Sequence, residues 1–243
     1  MTKTNSDWHL NWFNSPFYHQ LYKKRDYNEA TFFMSNLLKR LKVQENSSIL
    51  DLACGRGRYS QYLSSIGYDV VGIDISVENI VEAKKSESNN LNYLIHDMRN
   101  PLKIKFDLIL NLFTSFGYYE NDNDNLRVIK SIRSNLNNNG KAVIDFLNID
   151  YVLGNIVKNE EKIIDNTKFT IKRYLKEDVL IKEISVISGN KSYEFQEKVK
   201  AYRLEDFSTM LKKFNLEIIE TFGDYKLNPF NKETSPRLIM ILK

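Results

Sequence analysis

Asp51-Leu52-Ala53-Cys54-Gly55-Arg56-Gly57-Arg58-Tyr59-Ser60 decides the fold. It joins the apolar run Ser48–Ala53 to a segment whose Tyr59, Tyr62, Leu63 and Ile66 recur at helical spacing, so it is a strand, a glycine turn and a helix in succession. Glycines there let the chain turn tightly and let a ligand approach the main chain without meeting a Cβ atom. Nineteen residues after Gly55, a second apolar run, Asp69–Ile75, ends in Gly72-Ile73-Asp74-Ile75-Ser76. A carboxylate at that strand end can accept hydrogen bonds from both hydroxyls of a ribose. Alternatively Asp74 caps the next helix, although Ser76 is the better cap. Turn and acid together point to a nucleoside-bearing ligand.

Outward from this pair, apolar runs continue at Leu91–Ile95, Phe106–Phe113 and Lys141–Leu147, with helical patterns between them at Val77/Ile80/Val81 and Leu126/Ile129/Ile132/Leu136. Strands alternating with helices predict a parallel sheet covered on both faces. Asn121–Asn125 and Asn137–Asn139 are polar enough to read as loops. From Lys168 the period changes to two: Lys168–Leu175, Val179–Ile187 and Tyr193–Ala201 predict antiparallel strands, with Gly189-Asn190 as a hairpin turn. A helix through Leu204, Phe207, Met210, Leu211 and Phe214 follows, and strands Leu216–Thr221 and Arg237–Leu242 close the chain.

Composition narrows the function classes. The chain has 243 residues, 42% hydrophobic and 12% aromatic, enough for a sizeable core, and a net charge of +4 that is too evenly spread to argue for nucleic acid. The single cysteine, Cys54, excludes an internal disulfide and any zinc site built on several thiolates. No apolar run approaches the ~18–20 residues of a membrane span, and the expected setting is the cytoplasm.

The glycine turn alone fits NAD as well. The NAD fingerprint, however, wants a third glycine where this chain has Ser60, and Asp51 before the turn suits an ammonium-bearing ligand better than a pyrophosphate. The stretch Asp51–Gly57 resembles the first motif of class I S-adenosylmethionine-dependent methyltransferases. Gly72–Ser76 resembles their second motif, His96-Asp97-Met98 the adenine-binding third, and Asn111-Leu112-Phe113-Thr114-Ser115-Phe116-Gly117-Tyr118 the fourth, beneath the transferred methyl. One departure is Ala53, where many members carry glycine; alanine is accommodated there if its φ is negative.

The resemblance implies an α/β, Rossmann-like, mostly parallel seven-stranded sheet with an antiparallel last strand, helices on both faces and an added antiparallel β insert. It implies a methyltransferase core over residues 46–150 and 202–243, an N-terminal helical lid over 1–45, and an insert over 151–201 that covers the substrate site or forms a dimer contact. S-adenosylmethionine, leaving as S-adenosylhomocysteine, would be held by Asp51, Ala53, Gly55, Gly57, Asp74, Ile75, Asp97, Met98, Leu112 and Tyr22. Tyr18 or Tyr22 would reach the cofactor carboxylate and Arg25 would pair with it. For catalysis His19 and Tyr118 are the candidates, no catalytic triad being needed for methyl transfer, and no metal is expected. Tyr118, Tyr119, Asp145 and Asn148 are candidates for the acceptor pocket; packing or capping is the plain alternative for each. The acceptor is expected to be a small molecule methylated on N or O, with the protein a monomer or homodimer and no nucleic-acid or membrane partner. RNA or protein as acceptor, and a nonenzymatic S-adenosylmethionine-binding protein, are the alternatives. Asn111 is not followed by the Pro-Pro-aromatic turn of nucleobase amino-methyltransferases, and Cys54 is misplaced for pyrimidine C5 methylation.

Overall fold

A computed structural model describes residues 8–23 and 27–243. In chain order the elements are α1 (Trp8–Phe13), α2 (Pro16–Leu21), α3 (Tyr27–Leu41), β1 (Ser48–Leu52), α4 (Arg58–Ser65), β2 (Asp69–Asp74), α5 (Val77–Ala83), β3 (Leu91–Ile95), β4 (Phe106–Asn111), α6 (Asp122–Asn135), β5 (Leu136–Leu147), α7 (Ile149–Gly154), β6 (Asn159–Ile164), β7 (Thr167–Lys176), β8 (Val179–Ser188), β9 (Lys191–Lys200), α8 (Leu204–Lys212), β10 (Ile218–Phe222) and β11 (Arg237–Leu242). Seven strands form one sheet in the order β10-β11-β5-β4-β1-β2-β3. β3, β2, β1, β4 and β5 run parallel, and β11 runs antiparallel between β5 and β10. This is the expected Rossmann-like sheet.

Side-chain alternation explains why its strands read as unbroken apolar runs. Ile49, Leu108, Leu110, Val143, Ile239 and Ile241 point to one face, against the apolar stripe of α3 and residues of α4 and α5. Leu50, Ile109, Ile144, Phe146, Leu238 and Met240 point to the other, against α6 and α8. Both faces are dry, so neither residue parity along a strand is polar.

Details differ from the sequence reading for physical reasons. Of Val77, Ile80 and Val81 only Ile80 is buried; the two valines are exposed, and α5 buries Ala83 beside Ile80. Asn121–Asn125 opens α6, with the Asn121 side chain accepting a hydrogen bond from the Asn123 amide at 2.9 Å. Asn137–Asn139 belongs to β5, where an irregular register against β4 lets the strand start at Leu136. The insert holds four strands, β6-β7-β8-β9, rather than three. One face of this second sheet packs against α1 and α2: Trp12 is fully buried with Phe169, Ile171, Ile184 and Val186. Thus α1 and α2 ride on the insert, while α3 belongs to the core sheet.

Candidate functional site

The parallel strands end on one edge, where loops can gather ligand-binding groups. β1 is followed by Ala53, whose φ is +57°. The negative φ expected for an alanine at this point is therefore not adopted; the turn needs a left-handed residue, and the Cys54 amide bonds Ile73 O at 2.9 Å immediately after it. Gly55 is also left-handed, at φ +57°, and a Cβ there would meet no atom, leaving its surroundings open. Its amide donates to Asp74 Oδ2 at 2.9 Å, while the Ser76 amide donates to Oδ1 at 2.8 Å. Asp74 is thus oriented by main-chain groups, and Ser76 caps α5 by accepting from the Asn79 amide at 3.0 Å. Ser60, in the place of the third glycine, donates to Asp51 Oδ2 at 2.6 Å. Burial raises the Asp51 carboxyl to about 7, opposed by the Ser60 bond and reinforced by Asp74. Burial likewise raises Asp74 and keeps the Cys54 thiol protonated.

These groups border a cavity of about 310 Å³. Asp51, Ala53, Gly55, Asp74, Ile75, Met98, Leu112 and Tyr22 all line it, roofed by α1 and α2. Gly57 and Asp97 are not among its walls. Gly57 is required for another reason: it starts α4 at φ +79°, and a Cβ there would lie 2.1 Å from Tyr93 Oη. Asp97 is held by Arg99, Nη2 to Oδ2 at 2.6 Å; burial raises its pKa, but the bonds and charge of Arg99 outweigh this and hold it below the usual carboxylate range.

A second cavity of about 890 Å³ lies between the core edge, α2 and the insert. Phe13, Tyr18, Tyr22, Lys23, Phe113 and Tyr118 line both cavities, so the two adjoin. At their junction Phe113 and Thr114 are successive left-handed residues, both at φ +59°. Aromatic and β-branched residues resist this conformation. Asp145 and Arg237 hold them in it. Phe113 N donates to Asp145 Oδ2 at 2.8 Å, Thr114 N to Asp145 O at 2.9 Å, and Arg237 Nη2 to Thr114 Oγ1 at 3.0 Å. Arg237 and the fully buried Asp145 form an ion pair at 2.7 Å, and Tyr225 Oη adds a bond to Asp145 at 3.1 Å.

A family model described as a methyltransferase domain matches residues 9–221. The chain belongs to that family. It is 34% identical over 107 residues to a putative methyltransferase, YqeM, of Bacillus subtilis, the match covering 42% of this chain and 43% of the relative. The chain therefore spans less than half the length of that curated relative. Among solved structures, an S-adenosylmethionine-dependent methyltransferase from Clostridium acetobutylicum aligns with a TM-score of 0.79 at 23% identity, over 93% of this chain and 96% of the other. CalS10, an amino pentose methyltransferase from Micromonospora echinaspora solved with S-adenosylmethionine bound, aligns with a TM-score of 0.71 at 15% identity, over 94% and 96%. At these identities the solved structures show the fold, which is that of the class I methyltransferases.

The two methyltransferase candidates for catalysis occupy different places. His19 lines the smaller cavity and is absent from the walls of the larger. Its Nε2 is buried without a partner, and burial, with Arg56, lowers it to about 4, so the ring is neutral near pH 7. Tyr118 lies at the junction, edge-on to Trp8 with centroids 5.5 Å apart, and burial keeps its phenol protonated. Tyr22 donates to Glu197 Oε1 at 2.9 Å and accepts from Lys182 Nζ. Arg25 lies outside the described residues. Asp145 is absent from both walls, being engaged by Arg237, and Asn148 donates to Lys232 O and Ser235 O at 2.8 Å, tying down the loop before β11. Sequence reasoning placed Phe113 in the fourth motif but missed Arg237, Lys182 and Glu197. Only the like charges of the insert strands gave a signal for Lys182; nothing local marks Arg237. Among the described residues, no three His, Cys, Asp or Glu side chains form a metal-holding group, and no helix is long and apolar enough to cross a membrane.

Proposed function

We propose that the smaller cavity binds S-adenosylmethionine and that the chain moves its methyl to an N or O atom of a small molecule held in the larger one. The observation that carries this reading is the shared wall: the cavity lined by the first, second and fourth motifs adjoins another across Phe113 and Tyr118. The residues present fit the cofactor. Asp74, its carboxylate aimed by two amides, would take the ribose hydroxyls; Asp51 would face the ammonium; Ile75 and Met98 would flank the adenine. His19 Nε2, buried and unpartnered in the same cavity, is a polar atom for the ligand to satisfy. Bound S-adenosylmethionine supplies an electrophilic methyl on a sulfonium. The chain's part is to exclude water and hold the acceptor lone pair in line with that methyl. Tyr118, a protonated phenol, can donate a hydrogen bond to the acceptor, whereas neutral His19 stays on the cofactor side. CalS10 is an amino pentose methyltransferase, which supports a small-molecule acceptor here.

Calorimetry with S-adenosylmethionine and S-adenosylhomocysteine tests the first half. Asp74→Ala is expected to weaken both by about 100-fold, the worth of two charge-assisted hydrogen bonds. No affinity of the unaltered chain for either would sink the reading. A labelled-methyl screen over pooled metabolites, RNA and protein tests the second half: label in metabolites supports it, and label only in RNA or protein overturns the acceptor class.

A further inference from the structure

The larger cavity has an unusual charge. Lys23, Lys162, Arg173, Lys182 and Arg237 line it against only Asp165 and Glu197. Lys23 and Asp165 pair at 2.8 Å with both side chains half exposed or more, and Lys162 is 45% exposed, so these belong to the mouth. Deeper in, Lys182, Arg237 and Arg173 retain only 12%, 18% and 22% side-chain exposure.

Their placement is costly by the ordinary rules of sheets. Arg173 on β7 and Lys182 on β8 are direct cross-strand partners, and like charges so placed repel. Lys182 is also partner to Glu197 on β9, so the row across the sheet reads Arg173, Lys182, Glu197. On β7–β9 the neighbouring rows of the same face are apolar, Ile171 opposite Ile184 and Leu180 opposite Val199, and Glu160 on β6 continues the Ile171 row. Glu160 compensates Arg173 at 2.7 Å from outside the cavity wall, as Asp145 does Arg237. Arg237 commits Nε and Nη2 to Asp145 and Thr114, and among the described residues its Nη1 makes no hydrogen bond. Three shielded cations thus line one space in which Glu197 is the shielded carboxylate, with an apolar wall of Leu147, Val152, Ile171 and Leu180.

We infer that the acceptor carries an anionic group, a carboxylate or a phosphate, seated between Arg173, Lys182 and Arg237, with its apolar part along the adjoining wall. An anion between Arg173 and Lys182 turns their repulsion into two charge-assisted bonds, and directs the rest of the acceptor toward Phe113 and Tyr118. This rests on the larger cavity being the acceptor site.

Benzoate, phenyl phosphate and the uncharged benzyl alcohol are titrated calorimetrically into the full chain, with and without saturating S-adenosylhomocysteine. Both anions are expected to bind at least about tenfold more tightly than the alcohol, and the tighter of the two identifies carboxylate or phosphate as the natural group. Arg173→Gln and Lys182→Gln should each weaken anion binding about tenfold, the worth of one charge-assisted bond. Glu197→Gln keeps the acceptor oxygen for Trp12 and Tyr22, at 2.6 and 2.9 Å, but removes the opposing charge, so it should tighten anion binding and leave the alcohol unchanged. Equal binding of alcohol and anions overturns the inference, and so does weakening by Glu197→Gln as large as that by Arg173→Gln, which would mean a structural role alone. The titrations without S-adenosylhomocysteine report on the anion subsite even if the cofactor reading fails, so the two failures are distinguishable.

Discussion

Ala53, at φ +57°, has the Cβ that makes a left-handed residue costly. Ala53→Gly relieves about 1 kcal/mol of that strain, less part of it for the looser unfolded chain. The net expectation is a melting temperature raised by up to about 3 °C in a chain of this size, read by scanning calorimetry; a lowered one would mean that the alanine methyl contributes packing that outweighs the strain. Asp51 carries a pH dependence of definite sign. Its pKa is 3.8 unperturbed and about 7 when folded, so the folded state keeps a proton that the unfolded chain releases. Its contribution to stability is therefore full below 3.8, declines as pH rises toward 7, and is gone above it. A cationic ligand prefers the ionised form. S-adenosylmethionine affinity should accordingly rise about eightfold from roughly pH 6 to pH 7.5, with proton release on binding. Asp51→Asn should flatten that profile and weaken binding at the upper end; an unchanged slope in Asp51→Asn would assign the titration to another group.

Between elements, the decisive contact joins the ends of β4, β5 and β11. Asp145 and Arg237, 92 residues apart, keep the left-handed Phe113–Thr114 turn in place. Arg237→Met leaves a buried carboxylate uncompensated, which should cost about 3–5 kcal/mol in denaturant unfolding. The double variant Asp145→Asn/Arg237→Met should recover most of that stability, since a neutral pair is not penalised by burial. It should not recover methyl transfer, because the Arg237 bond to Thr114 Oγ1 is lost and a neutral amide holds Phe113 N more weakly than the carboxylate does. Recovery of both would show the turn to be independent of the pair. Such a contact was not legible in the sequence. Motifs of apolar strand, turn and acid are local, and they located β1 and β2 to within one residue. Which strand lies beside β5, and in which direction, depends on sheet closure, and only that places Arg237 beside Asp145. β6 escaped for a different reason: Asn159-Glu160-Glu161-Lys162-Ile163-Ile164 is a largely exposed edge strand, and a solvent-facing edge carries charge where the alternation signal would stand. Gly57 and Asp97, expected at the cofactor, lie off the cavity wall, where Gly57 answers to the Tyr93 ring and Asp97 to Arg99.

Across the whole molecule, the roof of the smaller cavity is anchored mainly to the insert. Trp12 on α1 is buried among β7 and β8 residues, and its Nε1 donates to Glu197 Oε1 at 2.6 Å. Gln20 on α2 donates to Ile164 O at 2.8 Å. Toward the core edge, the intervening Asn14 accepts from Ser76 Oγ at 2.6 Å and donates to Glu78 Oε2 at 2.7 Å. Glu197 belongs at once to this anchor, to Tyr22 and to the cationic row of the larger cavity, so roof and acceptor site share a support. Trp12→Ala should remove about 3–5 kcal/mol of packing, and the loss should fall locally, because the two core clusters of the seven-stranded sheet do not include Trp12. Amide exchange should then quicken over residues 8–23 and in β7–β9 while the core strands stay protected. S-adenosylhomocysteine should bind more weakly and, when saturating, slow exchange in residues 8–23 of the unaltered chain, since a ligand that needs the roof stabilises it by mass action. Equal loss of protection in β1 and β4 would show that roof, insert and core unfold together, and that the cavity opens only with the whole fold.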